Sequence, residues 1–237
     1  MQVSDDIMLG PVVTGSTNSA GPSPMEVGVG PMGRCYIFDV VPLAKNLTGL
    51  ATAQAVAAAG NLTLTAGAGV TLTNGLLVLD TPRCVDVVSA GAGDTTQTAT
   101  FSGFDQYGKA MTQTVTLNGT TRVSTTKAFK SIASIRISAA TAGNISAGTT
   151  DTIGLPYKIA TKDYLMFTYN ETVGLLAAAT KADATSPATV STGDVRGTIA
   201  LASAADGVKR LVATIALPAI ACGPNATRIG AVGVDQV

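Results

Sequence analysis

The chain has 237 residues, a formal net charge of zero and only 13% charged residues, with no His and no Trp. Soluble domains typically carry about 25% charge. The fifteen Lys and Arg are scattered, no basic stripe forms, and no apolar run reaches bilayer length, so the expected partners exclude nucleic acid and membranes.

Thr, Ala and Gly stand where charge would be, and Glu occurs only at Glu26 and Glu171. Such side chains cost little entropy to order and little ion hydration to cover. The surface therefore reads as one largely buried in an assembly. The length suits one large β domain or two small ones. Cys35, Cys84 and Cys222 are far apart, form no CxxC, and have no His to complete a zinc set. They are expected to be reduced, apolar core residues. The stretch MQVSDDIML is acidic and lacks a basic n-region, so a signal peptide is not expected and synthesis in a cytoplasm is.

In chain order, Gly10 to Gly33 is punctuated by Pro and Gly and reads as an extended arm. Arg34 to Val41 is the first apolar strand, ended by Pro42. Leu50 to Ala59 (LATAQAVAAA) is the one helix candidate, Ala-rich and closed by Gly60, although ten residues are marginal without packing. NLTLTAG and VTLTNGLLVLD supply two or three short strands, with a hairpin signal at Asn74-Gly75. Pro82 then leads into RCVDVVSA.

Gln97 to Lys158 reads as a ladder of antiparallel strands. Ala99 and Phe101 alternate with Thr98, Thr100 and Ser102. Met111, Gln113, Val115 and Leu117 alternate with Thr112, Thr114 and Thr116. Ala133, Ile135 and Ile137 alternate with Ser134, Arg136 and Ser138. That period of two marks half-buried strands. Asp105-Gln106-Tyr107-Gly108 supplies the turn between the first two.

Later, Leu165, Phe167 and Tyr169 alternate with Tyr164, Met166 and Thr168, and VGLLAAAT is placed to pair back through Asn170-Glu171. Lys181 to Asp194 is a polar loop. VRGTIALA and KRLVATIAL follow, joined through Ala205-Asp206-Gly207, and an irregular tail closes the chain. Strands every 8–12 residues or so predict a mainly β fold, an antiparallel β-sandwich of jelly-roll or Greek-key type with at most one short helix. The expected division is arm 1–33, sandwich 34–217 and tail 218–237.

No motif carries chemistry. Gly28 to Gly33 matches GxGxxG, but a strand rather than a helix follows it, so no helix N-terminus faces a phosphate. Asp94, Asp105 and Asp151 lie in Gly-rich turns without the D-x-D-x-D-G spacing of a calcium loop. Asp183, Asp194 and Asp206 show no sign of the paired carboxylates that glycoside hydrolysis needs. These residues read as turn and loop caps, with Asp194 and Arg196 placed for a local ion pair or for a neighbouring subunit. Without His there is no Ser–His triad. Six N-x-S/T sites (Asn46, Asn61, Asn118, Asn144, Asn170 and Asn225) are what frequent Thr produces by chance. No catalytic, cofactor-binding or metal-binding residue is assigned.

LATAQAVAAAGNLTL, TPRCVDVVSA and FSGFDQYGKAMTQTVTLNGTTRVSTTKAFKSIASIRIS together resemble tailed-bacteriophage virion structural proteins. The matching pattern is an Ala-rich opening, a PR-strand, a G-x-D-x-x-G hairpin at Gly103 to Gly108, and K-x-F-K-x-I-x-x-I at Lys127 to Ile135. VVSAGAGD stands where that group more often has TSAGND. ATSPATVSTGDVRGTIALASAADGVKRLV is similar to its closing segment. The resemblance spans roughly Arg34 to Leu217 and implies a β-sandwich subunit of a virion. The expected role is a non-enzymatic capsid decoration (cement) protein, a homotrimer on the outside of the major capsid protein shell. Its N-terminal arm would reach neighbouring decoration subunits. The alternative is a tail, baseplate or head-fibre protein for host attachment; a virion-bound glycan hydrolase is the third reading.

Overall fold

The computed structural model describes residues 2–3, 32–156, 165–180 and 196–218. Among them run sixteen strands. They are β1 (Gln2–Val3), β2 (Met32–Val40), β3 (Ala51–Gln54), β4 (Gly60–Asn61), β5 (Val70–Thr73), β6 (Leu76–Ser89), β7 (Thr98–Phe104) and β8 (Ala110–Thr116). Then come β9 (Val123–Ser124), β10 (Phe129–Ile137), β11 (Ile145–Gly154), β12 (Leu165–Tyr169), β13 (Thr172–Val173), β14 (Ala179–Thr180), β15 (Thr198–Ala200) and β16 (Leu211–Pro218). The only helical element among the described residues is a single 3-10 turn, Leu176–Ala178.

The strands form two antiparallel sheets. The smaller has the order β1-β2-β16-β12-β13. The larger has the spine β14-β15-β11-β6-β10-β7-β8, with β3 on β11, β4 on β10, and β5 and β9 on β6. This is the expected mainly β, sandwich-like fold. The central ladder lies in the larger sheet, and its alternation holds. Ala99, Phe101, Met111, Val115, Leu117, Ile135 and Ile137 are buried, while Thr100, Thr114 and Arg136 face outward. A second apolar cluster joins the sheets. Phe38, Leu165, Phe167, Tyr169, Leu211 and Ala213 of the smaller sheet pack with Ile153, Leu155, Ala179 and Ile199 of the larger. Strands such as β7 and β12 hide one row because adjacent Cβ atoms point to opposite faces, whereas Thr81 to Val87 of β6 is buried on both.

Three expectations are corrected. The Ala-rich stretch Leu50 to Ala59 is not a helix. Ala51–Gln54 is a strand on β11, with Ala51 opposite Ala147 and Gln54 opposite Ile145. Leu50 donates its N–H to the Ala147 carbonyl at 3.1 Å, and Ala53 sits at φ 41, which no right-handed helix contains. Leu50 and Ala51 are buried but the following alanines are exposed. The stretch thus has no helical apolar stripe, and pairing with a buried strand outweighs the propensity of Ala.

Pro82 does not start a new strand. β6 runs through it, and Thr81 and Pro82 have no register partner. There β6 leaves β5 and takes up β11 and β9, while β10 pairs on both sides of the break, at Leu77–Val78 and at Arg83, so the missing N–H of Pro82 costs no ladder bond. Nζ of Lys130 donates to the carbonyls of Leu79 and Asp80 at 2.7 and 3.0 Å beside this break.

Ala133 is exposed, against the expected inward row. The register of β10 on β7 shifts between Ile132 and Ser134, a bulge. It puts Ile132 inside with Ile135 and Ile137 and turns Ala133 out. The backbones crowd at this point, since a Cβ on Gly103 would lie 2.0 Å from the Ser131 carbonyl oxygen.

The strands from VRGTIALA and KRLVATIAL, joined as expected through Ala205-Asp206-Gly207, lie in different sheets. β15 joins β11 and β14, whereas β16 joins β2 and β12. The Ala205-Asp206-Gly207 connection therefore carries the chain from one sheet to the other. VGLLAAAT pairs back only through Thr172–Val173, after Asn170 and Glu171 at φ 50 and 62.

The Asn74-Gly75 hairpin is as expected, with φ values of 51 and 79. A Cβ on Gly75 would meet nothing within 4 Å. Gly75→Ala therefore isolates backbone strain, and we expect it to cost about 1–2 kcal/mol in urea unfolding. A neutral result would show that the turn relaxes to another type.

The arm residues 4–31, the segment 157–164 that holds Tyr164, the loop Lys181 to Asp194 and the tail from Ala219 lie outside the described residues. So do Gly28, Gly30, Asp183, Cys222 and Asn225. Gly33 is in β2. Residues 2–3 belong to the arm by sequence but pair with β2, Gln2 opposite Ile37 and Val3 opposite Tyr36.

Candidate functional site

Every carboxylate singled out from sequence and described here is held by donors. Asp94 follows β6 and is buried. It accepts from Ser89 Oγ at 2.5 Å and from the N–H groups of Ala142 and Gly143 at 2.9 and 3.0 Å. These bonds, the Ser89 hydroxyl foremost, hold its carboxyl below the usual range. Asp206 accepts from the N–H groups of Val208 and Lys209, both at 2.9 Å, and its Oδ2 lies 3.1 Å from Lys209 Nζ. Its pKa falls to about 2, chiefly through the Lys209 and Val208 amides. Asp151 lies 3.0 Å from Lys45 Nζ and accepts from the Ala205 N–H at 3.3 Å.

Asp105 does two jobs. Its Oδ1 accepts from the N–H groups of Tyr107 and Lys109 at 2.8 and 2.9 Å, closing the β7–β8 turn. Its Oδ2 accepts from Arg196 Nη2 at 3.3 Å, with both side chains buried. The Arg196 guanidinium carbon also lies 4.7 Å from the centre of the Tyr107 ring, a cation–π contact. Tyr107 in turn donates its hydroxyl to the Pro156 carbonyl at 3.0 Å. This node ties the turn to the end of β11 and the start of β15. Sequence reasoning placed Arg196 with Asp194 or a neighbour; the described partner is Asp105, 91 positions away. Nothing local signals that pairing.

Two ion pairs, each with one buried and one partly exposed member, escaped sequence reasoning. Arg122 Nη1 donates to Asp86 Oδ1 at 2.5 Å, and Nη2 donates to the Leu47 carbonyl at 2.6 Å. Burial raises the Asp86 pKa, with Arg122 opposing. Arg83 is 1% exposed, and its Nη2 donates to Asp80 Oδ2 at 2.8 Å and to the Leu43 carbonyl at 3.1 Å. Burial lowers its pKa. Ion pairs of this kind, buried in part, fix geometry more than they add stability.

Cys84 is buried and free, and burial pushes its thiol to about 12. It is therefore a core residue and not a nucleophile at neutral pH. Asn46 uses its Oδ1 to accept from the Thr48 N–H at 3.1 Å, a local turn. Among the described residues no three His, Cys, Asp or Glu side chains gather as a metal set, and no helix is long and apolar enough to cross a membrane.

The concave features flank the Asp105 turn. Behind it, Pro82, Thr126, Gly154, Arg196 and Thr198 surround a cavity of about 10 Å³, room for one water-sized group. In front, Leu76, Val78, Phe104, Gln106 and Lys130 line an open groove of about 420 Å³. The groove is shallow and its carboxylate is committed to the turn, so it presents contact surface and no acid–base pair.

The exposed apolar side chains are more distinctive. Met166, Val173, Leu175 and Leu176 crowd the β12–β13 end of the smaller sheet, at 73%, 74%, 77% and 45% exposure. Val41, Leu43 and Val208 are exposed near the Ala205–Lys209 connection, where Gly207 donates to the Pro42 carbonyl at 3.1 Å. No family model, no curated protein and no solved structure matches the chain.

Proposed function

We propose that the chain is a non-enzymatic virion structural protein, a capsid decoration protein that binds the outside of the major capsid protein shell and stabilises the head. The carrying observation is where the polar and apolar groups go. The described carboxylates singled out as candidates are spent on turns and ion pairs, while large apolar side chains stand in solvent at sheet ends and loops. That is the distribution of a contact surface. The low charge and the resemblance of the central ladder to virion proteins point the same way.

The mechanism is mechanical. Many weak contacts, tethered side by side on one shell, reach a high effective concentration. A protein that binds assembled shell and not free subunits stabilises the shell by mass action. The arm 1–33 is the natural reach between neighbours.

The test uses heads lacking the protein. Full chain added to them should co-sediment saturably and raise the temperature at which they release DNA. A variant lacking residues 1–33 should lose most of that protection. Full chain that stays in the supernatant would reject the reading, and immunogold label on tails alone would replace it with the host-attachment role.

A further inference from the structure

We infer that the outward face of the smaller sheet is a self-association surface, covered by the same face of a second copy of this chain. Cross-strand partners share a face. The register sets Ile37, Thr214 and Met166 in one row, and Asp39, Val212, Thr168 and Val173 in the next. The opposite rows, through Phe38, Ala213 and Phe167, are the buried ones. An antiparallel sheet with one wet side reads polar outward. This one carries Met166 and Val173, about three-quarters exposed, with half-buried Ile37 and Val212 between Thr side chains. Leu175 and Leu176 follow directly after the β13 edge.

Charge selects the occupant. Among the described residues, this register places Asp39 and Arg210 at the face, joined by a hydrogen bond from Nε to Oδ1 at 2.7 Å and a second from Nη2 to Oδ2. Such a pair of opposite signs is self-complementary. Each copy can offer Arg210 to the other's Asp39, and a chain of net charge zero does not repel itself. The position of the apolar row selects the mode. β1 pairs only with Tyr36 and Ile37 at one edge, and β13 has two residues at the other. Met166 and Val173 point out of the face and not along an edge, so the copies meet face to face, as packed sheets do. This surface is independent of the shell-binding reading.

Sedimentation velocity of the full chain over a concentration series tests it. Wild type should form a discrete oligomer. Met166→Lys with Val173→Lys should weaken association by about tenfold or more, since desolvated central residues dominate interfaces. Met166→Ser with Val173→Thr should shift it less, without adding charge. Thr71→Lys, at an exposed site on β5 of the larger sheet, should leave self-association unchanged. Circular dichroism verifies that each variant keeps its strands. Wild type that is monomeric throughout would overturn the inference, as would variants that associate like wild type. The head-binding assay separates the two readings. Variants that self-associate normally but no longer coat heads assign the face to the shell and overturn this inference alone. Variants that turn monomeric, beside a wild type that never coats heads, leave this inference standing and remove the capsid role.

Discussion

Arg122→Ala is expected to destabilise the protein by about 3 kcal/mol at neutral pH, because it removes the nearest counter-charge from the buried Asp86 carboxylate and leaves only the more distant Lys45 and the Gly148 N–H to oppose its desolvation. Asp86 lies in the middle of β6 and is 4% exposed. The guanidinium reaches it at 2.5 Å and also holds the Leu47 carbonyl. Even with Arg122 present, burial lifts the Asp86 pKa above its ordinary 3.8. The sign follows from linkage. A folded pKa above the unfolded one means that the folded state holds the proton more tightly. Asp86 therefore favours folding most below the unfolded value, and that contribution fades as pH rises through the folded value. Without Arg122 the folded pKa rises further. The penalty of Arg122→Ala should then be small in acid and grow toward neutral pH. Urea unfolding at several pH values measures it. Asp86→Asn with Arg122→Met should recover much of the loss, since neither side chain is then a stranded charge. A penalty independent of pH would reject this account.

Phe101→Ala is expected to cost about 3–5 kcal/mol, the range for emptying a buried aromatic site. Phe101 is fully buried at the centre of β7, and its ring centre lies 6.4 Å from that of Phe129 on β10, the planes tilted by 45°. The surroundings are Leu, Ile and Val on paired strands, which cannot close in without breaking register. For a chain of this size the loss corresponds to a fall in Tm of about 10 °C or more. Thr116→Ala, at an exposed position of β8, should shift stability by no more than about 0.5 kcal/mol. Calorimetry on both variants checks the contrast. Equal shifts would mean that the cluster around Phe101 is not the core on which the larger sheet depends.

The strands that sequence reasoning located best are those with strict alternation. Thr98 to Leu117 reads correctly because one face meets the core and the other meets water, and the chain must then alternate. The Asn74-Gly75 and Asp105 to Gly108 turns read correctly because they need positive φ or a side-chain acceptor at particular positions. Misreadings fell where a partner far along the chain decides the outcome. Within Leu50 to Ala59, Ala51–Gln54 became a strand because Ala147 and Ile145 offered it an edge. Ala133 turned outward because two strands could not keep register beside Gly103.

The same division holds for the interaction surfaces. A low-charge surface, the absence of His and the β class follow from composition and period alone, since these properties belong to single residues and near neighbours. Which cation meets which carboxylate does not. Arg196 with Asp105, Arg122 with Asp86 and Lys45 with Asp151 are 91, 36 and 106 positions apart, and only the folded sheets bring them together. The crossing of the Ala205 to Gly207 connection between sheets likewise depends on tertiary packing, because VRGTIALA and KRLVATIAL carry the same local pattern whichever sheet they join. Sequence periodicity shows that Met166 and Phe167 face opposite ways. It takes the second sheet, packed on Phe167, to decide that Met166 is the one on the outward face.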